Sequence, residues 1–481
     1  MGVGRDFKRP THRRFVTPLL PLSSFPKCYE VQTHQACPEN ELRSLHNRHL
    51  RDVGVTPTRR GIRLLHRQML RLTRKIGDLR PCSLETLLAR APSRKKRLYI
   101  TAAESLGEYE IEERDSRVKM FIKTDRYNAE EVAEKEPRAI QYRTPRYNLA
   151  LQRYLHPFEM AYYSTVNHFK GGPVKGKNSW ERARLYIDAI QEFVDPVVIN
   201  LDFSKFDAHL HPDVLAEERK LYNRAFGDAE LIELLDAQID NKCTTQTGIK
   251  YSVKGTRMSG DVNTGLGNTV IAEAIVRAWA SHHGVRVVPF VDGDDIIVIL
   301  ERGNIPPLDF SDWGMECTAE ILEPEHLTHC HSKIIWIGNR PRMVRDPWRA
   351  ISHGACTVRN YPSHILRPLL AAMGKCELAC SHGVPVLQEW ALAQIRVAAS
   401  PAWKHFDEAL AYRAKLEGRV GITHITPQAR DSFASCFGIE VSDQLALEEE
   451  LRTWTPAKFI PARGVDGHWH KAEEASTWEE A

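Results

Sequence analysis

Two short apolar runs in this chain carry acidic residues where acids are costly to place. Residues 197–203 read VVINLDF and residues 289–300 read PFVDGDDIIVIL. β-Branched residues crowd both runs, which predicts buried strands, and the second run reads as two strands joined by a tight turn at Asp292 and Gly293. An ionised carboxylate at the edge of an apolar strand needs a cation or donor to offset its desolvation. Asp202, Asp294 and Asp295 therefore point to a shared cation. Mg²⁺ is a hard ion that takes oxygen ligands at about 2.0–2.1 Å. If the two runs are neighbours, Asp202 and Asp294 converge on a pair of ions about 3.5–4 Å apart, the arrangement that serves phosphoryl transfer. The alternative reading of a lone GDD is a hairpin turn, because Asp and Gly both favour turns.

The rest of the chain supplies a frame for those strands. From about Arg117 short apolar strands and longer helical patterns mix, as in an α+β protein. Asn263 to Ser281 has a helix pattern with cap-like Asn and Thr at its start and small residues (Gly265, Gly267, Ala272, Ala274) for a close neighbour. The region after about Pro341 is helical in pattern and ends in a polar, acidic tail expected to be mobile. At 42% hydrophobic and 27% charged over 481 residues, the composition excludes a disordered or collagen-like chain. The charge is unevenly placed: residues 1–100 hold 22 basic and 7 acidic side chains, a net of +15, against −11 over the remaining 381.

Such a basic arm suggests contact with a polyanion, either nucleic acid or an anionic membrane surface. Within it, Arg59 to Arg80 sets Ile62, Leu65, Met69, Leu72 and Ile76 at helical spacing among basic residues. That basic amphipathic helix can lie on RNA, on a membrane or across another domain. No apolar run approaches the roughly 20 residues of a membrane span, since Pro18 and Pro21 interrupt Phe15 to Phe25. With no signal-peptide pattern, intracellular residence is expected. Ten Cys at irregular spacing do not make a disulfide framework, and Cys376, Cys380 and His382 lack the second ligand pair of a zinc site.

Three strings go further. LDFSKFDAH (201–209), GTRMSGDVNTGLGN (255–268) and VDGDD (291–295) resemble, in order and spacing, motifs A, B and C of viral RNA-dependent RNA polymerases of the tombusvirus-like group. KMFIKTD and PRAIQYRTPRYNLALQRYLHPFE upstream are similar to the basic motif F of that group. HCHSK (329–333) and MVRDP (343–347) are similar to its motif E region and the start of its thumb. The resemblance covers residues 117 to 350.

What the resemblance implies is an α+β right-hand polymerase: a basic extension over 1–100, fingers with motif F over 101–200, a palm with motifs A to E over 201–340, and a helical thumb and tail over 341–481. Asp202, Asp294 and Asp295 become catalytic metal ligands for Mg²⁺ or Mn²⁺. Asp207, aided by Asn268 with Ser259 and Thr264 nearby, becomes the contact to a ribose 2′-hydroxyl. A site whose buried polar groups are paired only by that hydroxyl rejects deoxynucleotides. Loop and helix capping is the plain alternative for Ser259, Thr264 and Asn268.

Lys123 and Arg138 match the triphosphate-contacting positions, and Arg143 and Arg146 extend the basic wall, where a fork of donors and a fixed charge suit phosphate. The implied partners are RNA template and product, ribonucleoside triphosphates, other viral replication proteins, and a host membrane surface reached through the basic arm. The implied location is the host cytoplasm, at membrane-associated replication complexes. The segment DWGMECTAE (312–320) lacks the Lys that many members carry for protonating pyrophosphate, which leaves Lys333, His329 and His331 as candidates. GGPVKGKN (171–178) nearly spells a P-loop, but Asn178 replaces the required Ser or Thr. Two other classes share parts of this pattern: a reverse transcriptase has the paired carboxylates, and a non-catalytic RNA-binding or assembly protein has the basic arm.

Overall fold

A computed structural model describes residues 12–50, 53–168, 170–406, 409–418 and 421–460. The acidic tail lies beyond these, as do the first eleven residues of the basic arm. Helices and sheets are mixed, and the chain divides into two compact units. One comprises residues 1–14 and 32–346, the other 15–31 and 347–481. The first hundred residues thus serve both units.

The centre of the larger unit is a five-stranded sheet. Its order is Cys317–Leu322, Pro196–Phe203, Asp295–Glu301, Val287–Asp292 and Gly172–Pro173, antiparallel except for the last pair. Alternate residues of the two inner strands face two different cores, as the two-residue period of a strand requires. Val197, Ile199, Leu201, Ile296, Val298 and Leu300 pack with the helix Thr264–His283 on one side. Val198, Ile297 and Ile299 pack with Ala183, Leu185 and Tyr186 of the helix Ser179–Ile190 on the other. Because helices cover both faces, the strands read as continuous apolar runs rather than alternating ones. Each fully buried Val, Ile or Leu contributes about 1.5–3 kcal/mol. The turn between the paired strands falls on Gly293 and Asp294, one residue later than the sequence suggested, with Gly293 at φ +73°. Glycine takes that conformation without a Cβ clash.

The helix Thr264–His283 starts at Asn263 and stops at Gly284, which adopts the left-handed cap conformation. The basic amphipathic helix runs Arg59–Ile76, capped by Thr58 and stopped by Gly77 at φ +74°, four residues short of the expected end. A second, four-stranded sheet orders Lys250–Lys254, Asp240–Thr245, Val118–Ile122 and Ala139–Tyr142. A small antiparallel sheet follows the first, with Thr328–His329, Ser332–Ile337 and Arg340–Arg345.

The smaller unit is mainly helical, with Pro347–Gly354, Ser363–Ser381, Leu387–Ala398, Ala409–Glu417, Pro427–Phe437 and Val441–Thr453. Phe25, Trp390 and Trp454 meet edge-on in its core at centroid separations of 5.8–6.1 Å. The interrupted apolar run after Phe15 therefore has a packing role here, with Leu19, Leu20 and Phe25 all buried. Among the described residues no helix is long and apolar enough to cross a membrane.

Candidate active site

Strand register brings the acids together. Asp202, near the end of Pro196–Phe203, sits directly opposite Asp295, the first residue of its antiparallel neighbour, and Asp295 in turn faces Asp292 across the turn. Asp294 is at the exposed tip of that turn. Like charges placed opposite on adjacent strands destabilise a sheet, so the register concentrates negative charge, and among the described residues no ion pair joins Asp202 or Asp295. Asp292 is satisfied separately by Arg182. Asp295 is exposed as a residue, yet its carboxyl is hemmed by protein. Desolvation first, then the charges of Asp294, Asp292 and Asp202, push it up to about 6.

The donor set of Asp202, Asp294 and Asp295 fits a hard divalent cation, all oxygen and all carboxylate. Their oxygens do not all lie within 4.8 Å of one another; among the described residues the group that does is His12, Cys37 and Glu39.

Two elements hold the turn. Thr269 Oγ1, in the second turn of the Thr264–His283 helix, accepts a hydrogen bond from Gly293 N at 2.9 Å. His329 Nε2 lies 3.2 Å from the backbone oxygen of Asp295, and its Nδ1 lies 2.7 Å from Tyr186 Oη. Burial lowers the pKa of His329 to about 4. With both nitrogens engaged and the ring neutral, His329 is removed from the candidates for pyrophosphate protonation.

Beside the acids lies a polar network around Asp207. Ser259 Oγ donates to Asp207 Oδ2 at 2.7 Å, and Asn268 Nδ2 donates to Asp207 Oδ1 at 2.7 Å. Arg257 Nε donates to Asn268 Oδ1 at 3.1 Å, and its Nη2 to Glu218 Oε2 at 2.6 Å. Desolvation raises the Asp207 pKa although these donors oppose it. The glycines of the motif explain its tightness: a Cβ on Gly267 would collide with the Glu218 carboxylate and Arg257, and one on Gly260 would lie 2.6 Å from the Gln141 backbone oxygen. Thr264, grouped with this network by its sequence position, instead donates to the Met258 backbone oxygen at 2.9 Å.

The basic residues divide. Lys123 follows the strand Val118–Ile122 and Arg138 precedes its partner Ala139–Tyr142, so one hairpin carries both, with Lys123 N bonded to Arg138 O at 2.8 Å. Both flank Asp125, at 3.1 and 3.5 Å, and both reach solvent. Arg143 does not join them. Its guanidinium is buried, pairing with Asp261 at 2.9 Å and donating to Asn241 and to backbone oxygens of Ser116 and Ala237. A cation with its donors occupied inside the protein does not meet a triphosphate, so the structure assigns Arg143 to holding the strands and loops behind the site. Arg146 is likewise engaged, with Asp115, Ser105 and two backbone oxygens.

Sequence reasoning missed Arg48, Arg257, Glu218 and Thr269. Arg48, in the short helix Leu45–His49, makes no hydrogen bond or ion pair among the described residues. Its pKa is lowered by burial and then by Arg138, with Tyr127, Asp207 and Glu136 also close enough to be felt. Arg48 is thus within electrostatic range of both Arg138 and Asp207. Only its place in a basic arm hinted at it. Thr269 was visible as a polar residue within an apolar helix, whereas Glu218 lies in a helix with many charged residues and had no such signal.

The sequence profile of the family described as viral RNA dependent RNA polymerase matches residues 8–458, and the chain belongs to that family. Relatives include the RNA-directed RNA polymerases of Maize chlorotic mottle virus, Turnip crinkle virus and Carnation mottle virus. The first is 34% identical over 410 residues, covering 81% of this chain and 42% of that protein. The second is 31% identical over 416 residues, covering 81% and 53%. The third is 32% identical over 408 residues, covering 80% and 53%. The chain spans about half the length of the curated relatives it matches.

Proposed function

We propose that this chain carries out template-directed RNA synthesis, joining ribonucleoside triphosphates to a growing RNA strand with release of pyrophosphate, in the replication of a positive-strand RNA virus genome. The observation that carries this reading is the juxtaposition of the Asp202, Asp294 and Asp295 carboxylates with the Asp207, Ser259 and Asn268 network. In this reading the five-stranded sheet and its helices are the palm, the Val118–Tyr142 region belongs to the fingers, and the helical unit is the thumb.

Asp202, Asp294 and Asp295 would hold the divalent cations that the reaction needs. Bound Mg²⁺ or Mn²⁺ supplies Lewis acidity at the phosphate oxygens and favours ionisation of the attacking hydroxyl. Lys123, Arg138 and Arg48 offset the charge of the incoming triphosphate and of the leaving pyrophosphate. Asp207, oriented through both of its oxygens, accepts the ribose 2′-hydroxyl. The residue at that position is Asp207 and not a bulky side chain, which favours this reading over a reverse transcriptase. Lys333 and His331 remain as proton donors to the leaving group. Other viral replication proteins and a membrane surface complete the working complex in the host cytoplasm.

The test is incorporation on a defined RNA template with ribo- and deoxyribonucleoside triphosphates side by side. Faster ribonucleotide incorporation is expected. Preference for deoxynucleotides would assign a reverse transcriptase, and incorporation of neither a binding protein.

A further inference from the structure

The Arg59–Ile76 helix keeps one face for a ligand that the catalytic cleft does not supply. Its apolar side is consumed within the protein. Leu65 and Met69 are fully buried, and Ile62, Leu64, Leu72 and Ile76 pack on the same core, against the helices Pro212–Phe226 and Thr264–His283. The opposite side carries Arg59, Arg63, Arg67 and Arg71 at four-residue intervals, followed by Arg74, and all five are exposed. At 100° per residue these five fall within a single arc of the helix, and successive guanidinium roots rise by about 6 Å. Among the described residues none of the five forms an ion pair; Arg71 bonds only to its own neighbour Gln68 at 3.4 Å. Arg60, off the line, is by contrast paired with Asp312. At the far end Lys75 lies close enough to Lys170 and Arg277 for their charges to lower its pKa, after the larger effect of burial.

Five like charges in a row repel one another, and among the described residues no ion pair offsets them. We propose that this stripe is a second RNA-binding surface, separate from the catalytic cleft, that holds an RNA strand by its phosphates without reading sequence. Three features favour RNA over lipid. The apolar face that an interfacial helix would insert into a membrane is already buried. The charges form a line, which matches a linear polyanion, whereas a membrane rewards lateral spread. Five of five are arginine, whose planar fork grips phosphate oxygens in pairs. The surface lies on the helical layer behind the sheet, so it can retain template or product strand outside the cleft during synthesis. The proposal stands independently of polymerase activity.

The experiment uses the full chain and a fluorescently labelled oligouridylate, with binding measured across a salt series. Replacing Arg63→Gln, Arg67→Gln and Arg71→Gln together should make the slope of log K against log salt shallower by about 2, at about 0.7 per phosphate contact on a single strand. The Lys triple at the same positions should keep the parent slope. A second variant, Arg59→Gln with Arg74→Gln, should reduce the slope by about 1.4 and serves if the first unfolds. Incorporation on a short annealed template should be unchanged. An unchanged slope in both Gln variants overturns the proposal, and loss of binding to phosphatidylserine vesicles in that case reassigns the stripe to a membrane.

Discussion

Replacing Asn268→Ala separates a sugar-reading network from a merely structural one. Asn268 Nδ2 donates to Asp207 Oδ1 at 2.7 Å, while its Oδ1 accepts from Arg257 Nε at 3.1 Å. A hydrogen bond to a charged group is worth about 1.5–3 kcal/mol. Loss of the first bond frees one oxygen of Asp207 and removes a donor that favours its ionised form, so the carboxyl is both misoriented and more readily protonated. If Asp207 accepts the ribose 2′-hydroxyl, the whole loss falls on ribonucleotides. The ratio of kcat/KM for a ribonucleotide over its 2′-deoxy counterpart should then fall about 10- to 150-fold, a tenfold change being about 1.4 kcal/mol. Single-nucleotide incorporation on a primed RNA template measures both substrates in one series. Urea unfolding reports separately the cost of leaving Arg257 Nε without its acceptor, about 1–3 kcal/mol. Equal losses for the two sugars would make the network a packing device with no part in sugar choice.

Arg143→Ala leaves Asp261 charged and buried without its partner, so unfolding free energy should drop by about 3–5 kcal/mol with the KM for nucleotides little changed in the folded fraction; a raised KM at unchanged stability would return Arg143 to the triphosphate. Arg48→Ala should raise the nucleotide KM about tenfold in steady-state assays, the worth of one charge-assisted contact, and an unaltered KM would count against its place near the triphosphate. His49 is buried with its pKa lowered to about 3, so the unfolded chain takes up a proton at pH 6.5 that the folded chain refuses. Its contribution to stability is fully present above pH 6.5 and declines as pH falls toward 3, by up to about 1.4 kcal/mol per unit; urea midpoints of parent and His49→Asn at several pH values should converge in acid, and parallel curves would contradict this.

The central strands were legible because helices cover both faces of the sheet, so Val197–Phe203 and Ile296–Leu300 carry a strong apolar signal, broken only by Asn200 and Asp202. Asp202 within the first run, and Asp294 and Asp295 beside the second, stood out for the same reason. Asp207, Ser259 and Asn268 could be grouped because two short strings hold all three, and their hydrogen bonds join just those strings. Arg143 misled because an arginine in a basic segment has the same one-dimensional signature whether it faces a phosphate or an aspartate 118 residues away. Arg48 was hidden by the opposite effect, lying 159 residues before Asp207 in a stretch, residues 41–52, where nine of twelve residues are polar or charged. The division of the basic arm between two compact units had no local signal, since Leu19, Leu20 and Phe25 bury themselves among helices that begin more than 300 residues later. The amphipathic helix was read correctly as a pattern, but only its packing distinguishes a buried apolar face from one meant for a membrane.

The most direct test of the account replaces Asp294→Asn and measures RNA synthesis and RNA affinity on the same template. Asp294 is at the exposed tip of the turn, so the substitution removes charge with little change in packing. Synthesis should fall by about two orders of magnitude or more, with the dissociation constant for RNA essentially unchanged, because the lost interaction acts on the charge that develops in the transition state. Full synthesis by the Asn variant would contradict the assignment of these carboxylates to catalysis.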